Sequence, residues 1–319
     1  MPSNQNPLGA LPARFRRERL LIVGCGDVGQ RLARDLQRGP GAGRVRVLAL
    51  TSSPQRVAGL RNLGLTPLVG NLDDAASLRR LAGLATRVLH LAPPPGEGAG
   101  QDWWKDPRTV ALAQALRLRA LPASLVYGST SGVYGDCGGA LVAESRPVAP
   151  ATPRAQRRVN AERAVRHLGR AGVRSSILRI PGIYAPDREG GTPEARLRRG
   201  TPVLRPEDDV FTNHIHADDL ARACWLALWR GRAQRAYHVS DDVHRKMGDY
   251  YDAAADVYRL PRPARIARDA AGQQLPLMLL SFMSESRRLD NTRMQRELRL
   301  RLHHPDAIAA LAASVQQGA

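Results

Sequence analysis

Gly24-Cys25-Gly26-Asp27-Val28-Gly29 has the spacing GxGxxG. It directly follows an apolar run, Leu20-Leu21-Ile22-Val23, and opens a segment with helical periodicity. In that context each glycine has a task. Gly24 permits a tight turn, Gly26 lets the backbone approach a pyrophosphate, and Gly29 lets helix and strand pack closely. A helix start supplies free N–H groups and partial positive charge to phosphates, so Asp27 and Val28 are expected at the ligand too. The chemistry is dinucleotide binding; a purely structural glycine turn is the alternative. An acid about 20 residues further on would hold the ribose hydroxyls of NAD. Thr51-Ser52-Ser53 stands there instead, followed by Arg56. Hydroxyls beside a guanidinium accommodate a 2′-phosphate, which tips the expected cofactor from NAD toward NADP.

Other residue sets carry weaker signals. His214, His216 and Asp218 alternate, so an extended segment would place them on one face. A metal site needs further ligands and supporting hydrogen bonds, and none is expected. Arg188, Arg196, Arg198, Arg199 and Arg205 could meet an anionic substrate group, or form a solvated charged face. Trp103-Trp104 could stack on a ring or anchor a helix start. Cys25 sits at a helix start, which lowers a thiol pKa and would suit a redox role, but a small residue filling the turn is the expected reading. The three cysteines, Cys25, Cys137 and Cys224, show neither disulfide nor zinc spacing.

These residues need strands and helices to position them, and the pattern supplies an alternation. Apolar runs at 20–23, 45–50, 66–69, 87–91, 124–127, 175–180 and 236–239 read as strands. Helical periodicity falls at 28–37, 54–62, 109–120, 156–169 and 217–229, with a further helix capped by Asp73-Asp74 and running to Leu84. This predicts an α/β fold, a Rossmann doubly wound parallel sheet with a smaller C-terminal substrate lobe. The expected division is a disordered basic tail over 1–18, a dinucleotide-binding domain over 19–184, and mainly the substrate lobe over 185–319. Parts of 210–245 return to the first domain.

Composition bounds the function classes. The 319 residues are 43% hydrophobic, enough for a real core. The formal net charge is +19, and all but Lys105 and Lys246 of the 48 basic residues are Arg. The arginines are spread along the chain, which reads as compositional bias; nucleic acid is not the expected partner. No apolar run approaches the roughly 18 residues of a membrane span. The N-terminus lacks the apolar stretch of a secretory signal. A cytoplasmic location is expected.

Longer segments carry a resemblance. Val126-Tyr127-Gly128-Ser129-Thr130-Ser131-Gly132-Val133-Tyr134-Gly135, Leu178 to Pro186, and Asn213-His214-Ile215-His216-Ala217-Asp218-Asp219-Leu220 follow the glycine loop in order. Together they resemble extended or atypical short-chain dehydrogenases/reductases of the NAD-dependent epimerase/dehydratase type. The resemblance implies that Asn71-Leu72 lies near the adenine. It places Leu91-Ala92-Pro93 along the cofactor, and Pro181, Gly182 and Ile183 by the nicotinamide. It implies a Ser or Thr at Thr130, plus a Tyr and Lys in YxxxK. The positions of that Tyr and Lys hold Arg154 and Arg158, so Tyr134 and Tyr184 become the substitute proton donors. Arg158 could still hold ribose hydroxyls. The implied function is an NAD(P)-binding epimerase, dehydratase or reductase acting on a small sugar-like or carbonyl substrate, with a non-standard active site; the arginines beyond residue 185 would suit an anionic substrate. The alternative is a catalytically weak NAD(P)-binding sensor. A homodimer is the family-level expectation.

Overall fold

The computed structural model describes residues 18–39, 43–96 and 102–318. The basic tail expected over 1–18 lies outside them except for Glu18, which already belongs to a strand. Seven strands form the main sheet: β1 (Glu18–Val23), β2 (Val45–Thr51), β3 (Thr66–Val69), β4 (Arg87–His90), β5 (Ser124–Thr130), β6 (Arg174–Ile180) and β7 (Arg235–His238). All pair in parallel, in the order β7-β6-β5-β4-β1-β2-β3. The winding direction reverses between β1 and β4. In open sheets of this kind, ligands bind in the crevice beyond the strand ends at that reversal.

The strand centres are mainly apolar, as in Leu20–Val23, Val47–Leu50 and Val88-Leu89, because both faces of the sheet are covered there. Along β1, Leu20 and Ile22 enter one core while Leu21 and Val23 enter the other, as a two-residue period requires. The helices that matter to the site are α1 (Asp27–Arg38), α2 (Arg56–Asn62), α3 (Pro107–Leu116), α4 (Pro153–Arg170) and α5 (Ala217–Arg230). On one face, Leu32 of α1 packs with Leu220 and Leu228 of α5. On the other, Leu112 and Leu116 of α3 pack with Val165 and Leu168 of α4. No helix among the described residues is long and apolar enough to cross a membrane.

Three local expectations change. The helix expected from Asp73-Asp74 to Leu84 is one turn, Ala75–Leu78, followed by a 3-10 turn over Arg79–Leu81. Asp74 caps it, and Gly83 then turns at φ +69°, a conformation glycine adopts freely. The helix expected over 109–120 begins at Pro107, because the Asp106 carboxylate accepts the Arg108 and Thr109 N–H groups. It ends at Leu116, where its apolar face stops: Leu118 is exposed. Finally, β5 runs on past Tyr127 to Thr130, because its pairing with β6 continues to Thr130 opposite Ile180. That extension carries Gly128, Ser129 and Thr130 to the crevice.

The remaining chain forms a smaller lobe. Helices α6 (Met247–Tyr258) and α7 (Ala307–Gly318) enclose a core with Tyr184, Leu197, Tyr250 and Leu311. Two-residue ribbons such as Val203–Leu204 with Arg265–Ile266 complete it. The chain rejoins the main body through α5 and β7, and again beyond 245, where Met294, Leu298 and Leu300 pack on the α1–α5 face.

Candidate functional site

Two clefts open at the carboxyl ends of the strands, each of about 280 Å³, and they share Gly24. The three motif glycines play different parts. Gly24 has φ +83°, and a Cβ there would lie 2.3 Å from the Ala92 nitrogen. Gly29 faces Ile22 and Cys25, whose side chains would lie 3.2 and 3.3 Å from an added Cβ. A Cβ on Gly26 would meet no protein atom within 4 Å. No side chain caps α1, so its first N–H groups face the open space beside Gly26. That is the cradle a pyrophosphate needs. Cys25 is buried, and burial pushes its thiol up to about 11, overriding the helix start.

The second cleft is lined by Thr51, Ser52, Arg56, Asn71, Leu72 and Ala92, all anticipated as cofactor residues. Arg56 Nη2 donates to the Cys25 carbonyl at 2.5 Å, tying α2 to the glycine loop. Asp73 and Arg108 also line this cleft and form a bidentate pair at 2.7 and 2.6 Å. The Arg108 guanidinium holds the Asp73 carboxyl below its ordinary range.

The first cleft gathers Gly26, Asp27, Val28 and Gly29 with Leu91, Thr130 and Arg158, and with Pro181 and Ile183. Gly128, Ser129, Arg188 and Leu220 join them. Two anticipated residues do not reach either lining. The Gly182 N–H donates to the Asn213 carbonyl at 3.1 Å in a ribbon with His214–His216. Pro93 contributes only a carbonyl, 3.4 Å from Arg108 Nη1.

The four candidate catalytic residues separate. Arg158 lines the cleft, and its Nη1 donates to the Gly128 carbonyl at 2.7 Å and to Tyr127 Oη at 3.1 Å. Thr130 also lines it, with Oγ1 accepting the Gly132 N–H at 3.2 Å. Arg154 does not; its guanidinium stacks over Phe282 at 4.9 Å. Tyr134 is buried away from the lining, at 1% exposure. Tyr184, the other candidate phenol, is likewise buried among His214, His216 and Tyr250.

Tyr134 belongs to a buried network. His238 Nδ1 lies 2.9 Å from the Asp290 carbonyl, which can only accept, so Nδ1 carries the proton. Burial pushes the His238 pKa down to about 3 and keeps the ring neutral. Nε2 is therefore an acceptor, and Tyr134 Oη donates to it at 2.6 Å. Arg179 Nη1 donates to the same Oη at 2.6 Å. Arg179 also forms a bidentate pair with Glu162, at 3.1 and 2.8 Å. Glu162 Oε1 accepts from Ser129 Oγ at 2.7 Å, and Ser129 lines the cleft. The phenol proton is thus committed inside the protein, and burial pushes its pKa up to about 12. Tyr134→Phe should leave dinucleotide affinity unchanged but cost about 1–3 kcal/mol of stability, by orphaning His238 Nε2. Parallel urea melts and cofactor titrations check this; a lost affinity with an unchanged melt contradicts it.

The residues considered for a metal do not assemble as spaced in sequence. His214 stacks on Tyr250 at 4.2 Å. His216 and Asp218 instead meet His304, with one candidate ligand atom from each lying within 4.8 Å of the others. The two imidazoles stack face to face at 3.8 Å, Asp218 is paired to Arg31 at 2.7 Å, and His216 Nδ1 accepts the Asp218 N–H at 3.2 Å.

A doubly wound parallel sheet with a glycine loop at its switch point and paired clefts at the strand ends defines a Rossmann-type α/β protein. More narrowly, the chain belongs to the NAD-dependent epimerase/dehydratase family, whose model matches residues 20–240. It is 31% identical over 133 residues to a UDP-glucose 4-epimerase from Azospirillum brasilense, a match covering 35% of this chain and 38% of that relative's length. A functionally unknown conserved protein from Silicibacter pomeroyi is similar in structure at TM-score 0.76 and 27% identity, covering 94% of this chain and 99% of that one. A dTDP-glucose 4,6-dehydratase from Streptomyces venezuelae, solved with NAD bound, shares the fold at TM-score 0.74 and 22% identity, over 93% and 96% of the two chains.

Sequence reasoning missed Ser129, Asp73 and Arg108 at the clefts. Ser129 lay beside a candidate and could have been found by extending the fifth strand. Of the five arginines that could meet an anionic group, Arg188 alone lines the first cleft.

Proposed function

We propose that the protein binds a nicotinamide dinucleotide across the two clefts. It would use it as an NAD(P)-dependent epimerase, dehydratase or reductase on a sugar-like carbonyl substrate, nucleotide sugars being the class named for its relatives. The observation that carries the reading is the open space at Gly26 between uncapped α1 and two clefts that share Gly24. The adenosine half would lie over Thr51, Ser52, Asn71 and Leu72. The pyrophosphate would meet the start of α1, and the nicotinamide ribose would enter the first cleft.

When bound, the nicotinamide ring accepts or donates hydride. The chain's own groups do the rest. Arg158 has donors beyond the Nη1 that it spends on Gly128 and Tyr127, and these can hold ribose hydroxyls. Thr130 Oγ1 accepts from Gly132 and keeps its own proton to donate to a substrate oxygen. Arg158 cannot act as the acid, because a guanidinium holds its proton to about pH 12 and above.

Arg56 beside Ser52 and Ser53 favours the 2′-phosphate of NADP. Arg56→Ala should weaken NADPH about tenfold more than NADH, the cost of one charge-assisted phosphate contact. Fluorescence titration of both cofactors measures it; equal losses would assign Arg56 to the glycine loop alone.

A second reading, a dinucleotide-binding sensor, is favoured by one observation: no phenol lines the first cleft among the described residues. Cofactor titration followed by a screen of UDP- and dTDP-sugars separates the two. Binding with conversion supports the enzyme, and binding without conversion supports the sensor. Failure to bind either dinucleotide removes both.

A further inference from the structure

Arg188 is a cation in the first cleft that the glycine motif does not account for. It comes from the loop after Tyr184, and its Nη1 donates to Asp27 Oδ2 at 2.6 Å, 161 residues away in sequence. The loop is tightly built. The Ala185 N–H donates to the Gly191 carbonyl at 3.3 Å, and the Gly191 N–H to the Arg188 carbonyl at 2.9 Å. A Cβ on Gly191 would lie 2.5 Å from the Ala185 carbonyl oxygen, so the turn closes only around glycine. Asp187 is anchored by Arg31 at 2.6 Å. Arg31 is 6% exposed, and it also holds Asp27 at 3.0 Å and Asp218 at 2.7 Å.

Asp27 creates an electrostatic problem. It places a carboxylate at the start of α1, where an incoming pyrophosphate brings two more negative charges. Arg31 cannot cover it, because its single charge is shared among three carboxylates. Arg188 is the second cation on Asp27, and it spends one of its five N–H donors there. At 30% exposure it stands on the cleft lining and is not sealed behind it.

We propose that Arg188 is a pyrophosphate-binding residue, held ready on Asp27 and donating to a phosphate oxygen of the bound dinucleotide. The loop of the second lobe thereby closes the phosphate site that the glycine loop opens. Asp27 serves as the rest position for that guanidinium. The inference rests on the dinucleotide reading above and adds a residue to it.

The test is titration of the full chain with NADH and NADPH at low and moderate salt. It compares wild type with Arg188→Ala, Asp27→Asn and, as a control for net charge, Arg170→Ala on the exposed end of α4. Arg188→Ala should weaken both cofactors about 10- to 100-fold and flatten the salt dependence, as expected for a lost charged hydrogen bond to phosphate. Asp27→Asn should tighten binding, because it removes a repulsive charge and frees Arg188. Arg170→Ala should match wild type. Wild-type affinity in Arg188→Ala would overturn the assignment. So would an Asp27→Asn loss equal to that of Arg188→Ala, which would make the pair a structural tie only. If wild type binds neither cofactor, the dinucleotide reading itself fails, and this inference with it.

Discussion

Gly26→Val is expected to abolish dinucleotide binding while leaving the fold intact. The added side chain begins in space that no protein atom occupies within 4 Å, so the protein loses nothing by accepting it. The same space is where a pyrophosphate must approach the α1 backbone. Loss of two charged hydrogen bonds at about 1.5–3 kcal/mol each weakens affinity by about 100-fold or more. Gly24→Ala is the contrasting change. It needs a left-handed backbone and puts a Cβ 2.3 Å from the Ala92 nitrogen. Positive-φ strain and overpacking each cost about 1–3 kcal/mol, so that variant should lose stability as well as binding. The pair is read by thermal melts beside cofactor titration. Retained affinity in Gly26→Val, or equal destabilisation of both variants, would refute the separation of roles.

Glu162→Ala is expected to give the largest stability loss of any single change outside the glycine loop. Glu162 and Arg179 have side-chain exposures of 5% and 4% and pair through two short contacts. The guanidinium is held charged by Glu162 against burial, its pKa raised above the ordinary arginine value. Removing the carboxylate leaves that charge buried with only neutral partners, which costs about 3–5 kcal/mol. The double change Glu162→Leu with Arg179→Met should recover much of the loss, since apolar replacements of buried pairs are often neutral. The single variant should also weaken cofactor binding, because Ser129 loses the acceptor that fixes the end of β5 beside the cleft. Urea melts of the single and double variants decide it. A loss below about 1 kcal/mol, the range of exposed pairs, would mean that the pair is not sealed from water.

The strands themselves were legible, because parallel strands covered on both faces read as short apolar runs bounded by turn residues; their order in the sheet came from the pairing. The glycine loop was legible for a related reason: its function depends on backbone conformation set within six residues. Element ends were less legible, and one mattered. Nothing in the apolar run 124–127 shows that β5 continues to Thr130; pairing with β6 decides that.

By itself the sequence determined the parallel sheet, the glycine turn between its first strand and helix, the absence of YxxxK and the family. Only the tertiary structure decided which polar side chains face the cleft. Tyr134 looks free in sequence, but crossovers bring His238 and Arg179, 104 and 45 residues distant, onto its hydroxyl. Arg158 remains at the cleft while Arg154, one helical turn earlier, turns onto Phe282. Local motifs are written in consecutive residues because they are backbone shapes. A side chain's availability depends on partners delivered by strands distant in sequence, and no local pattern records them.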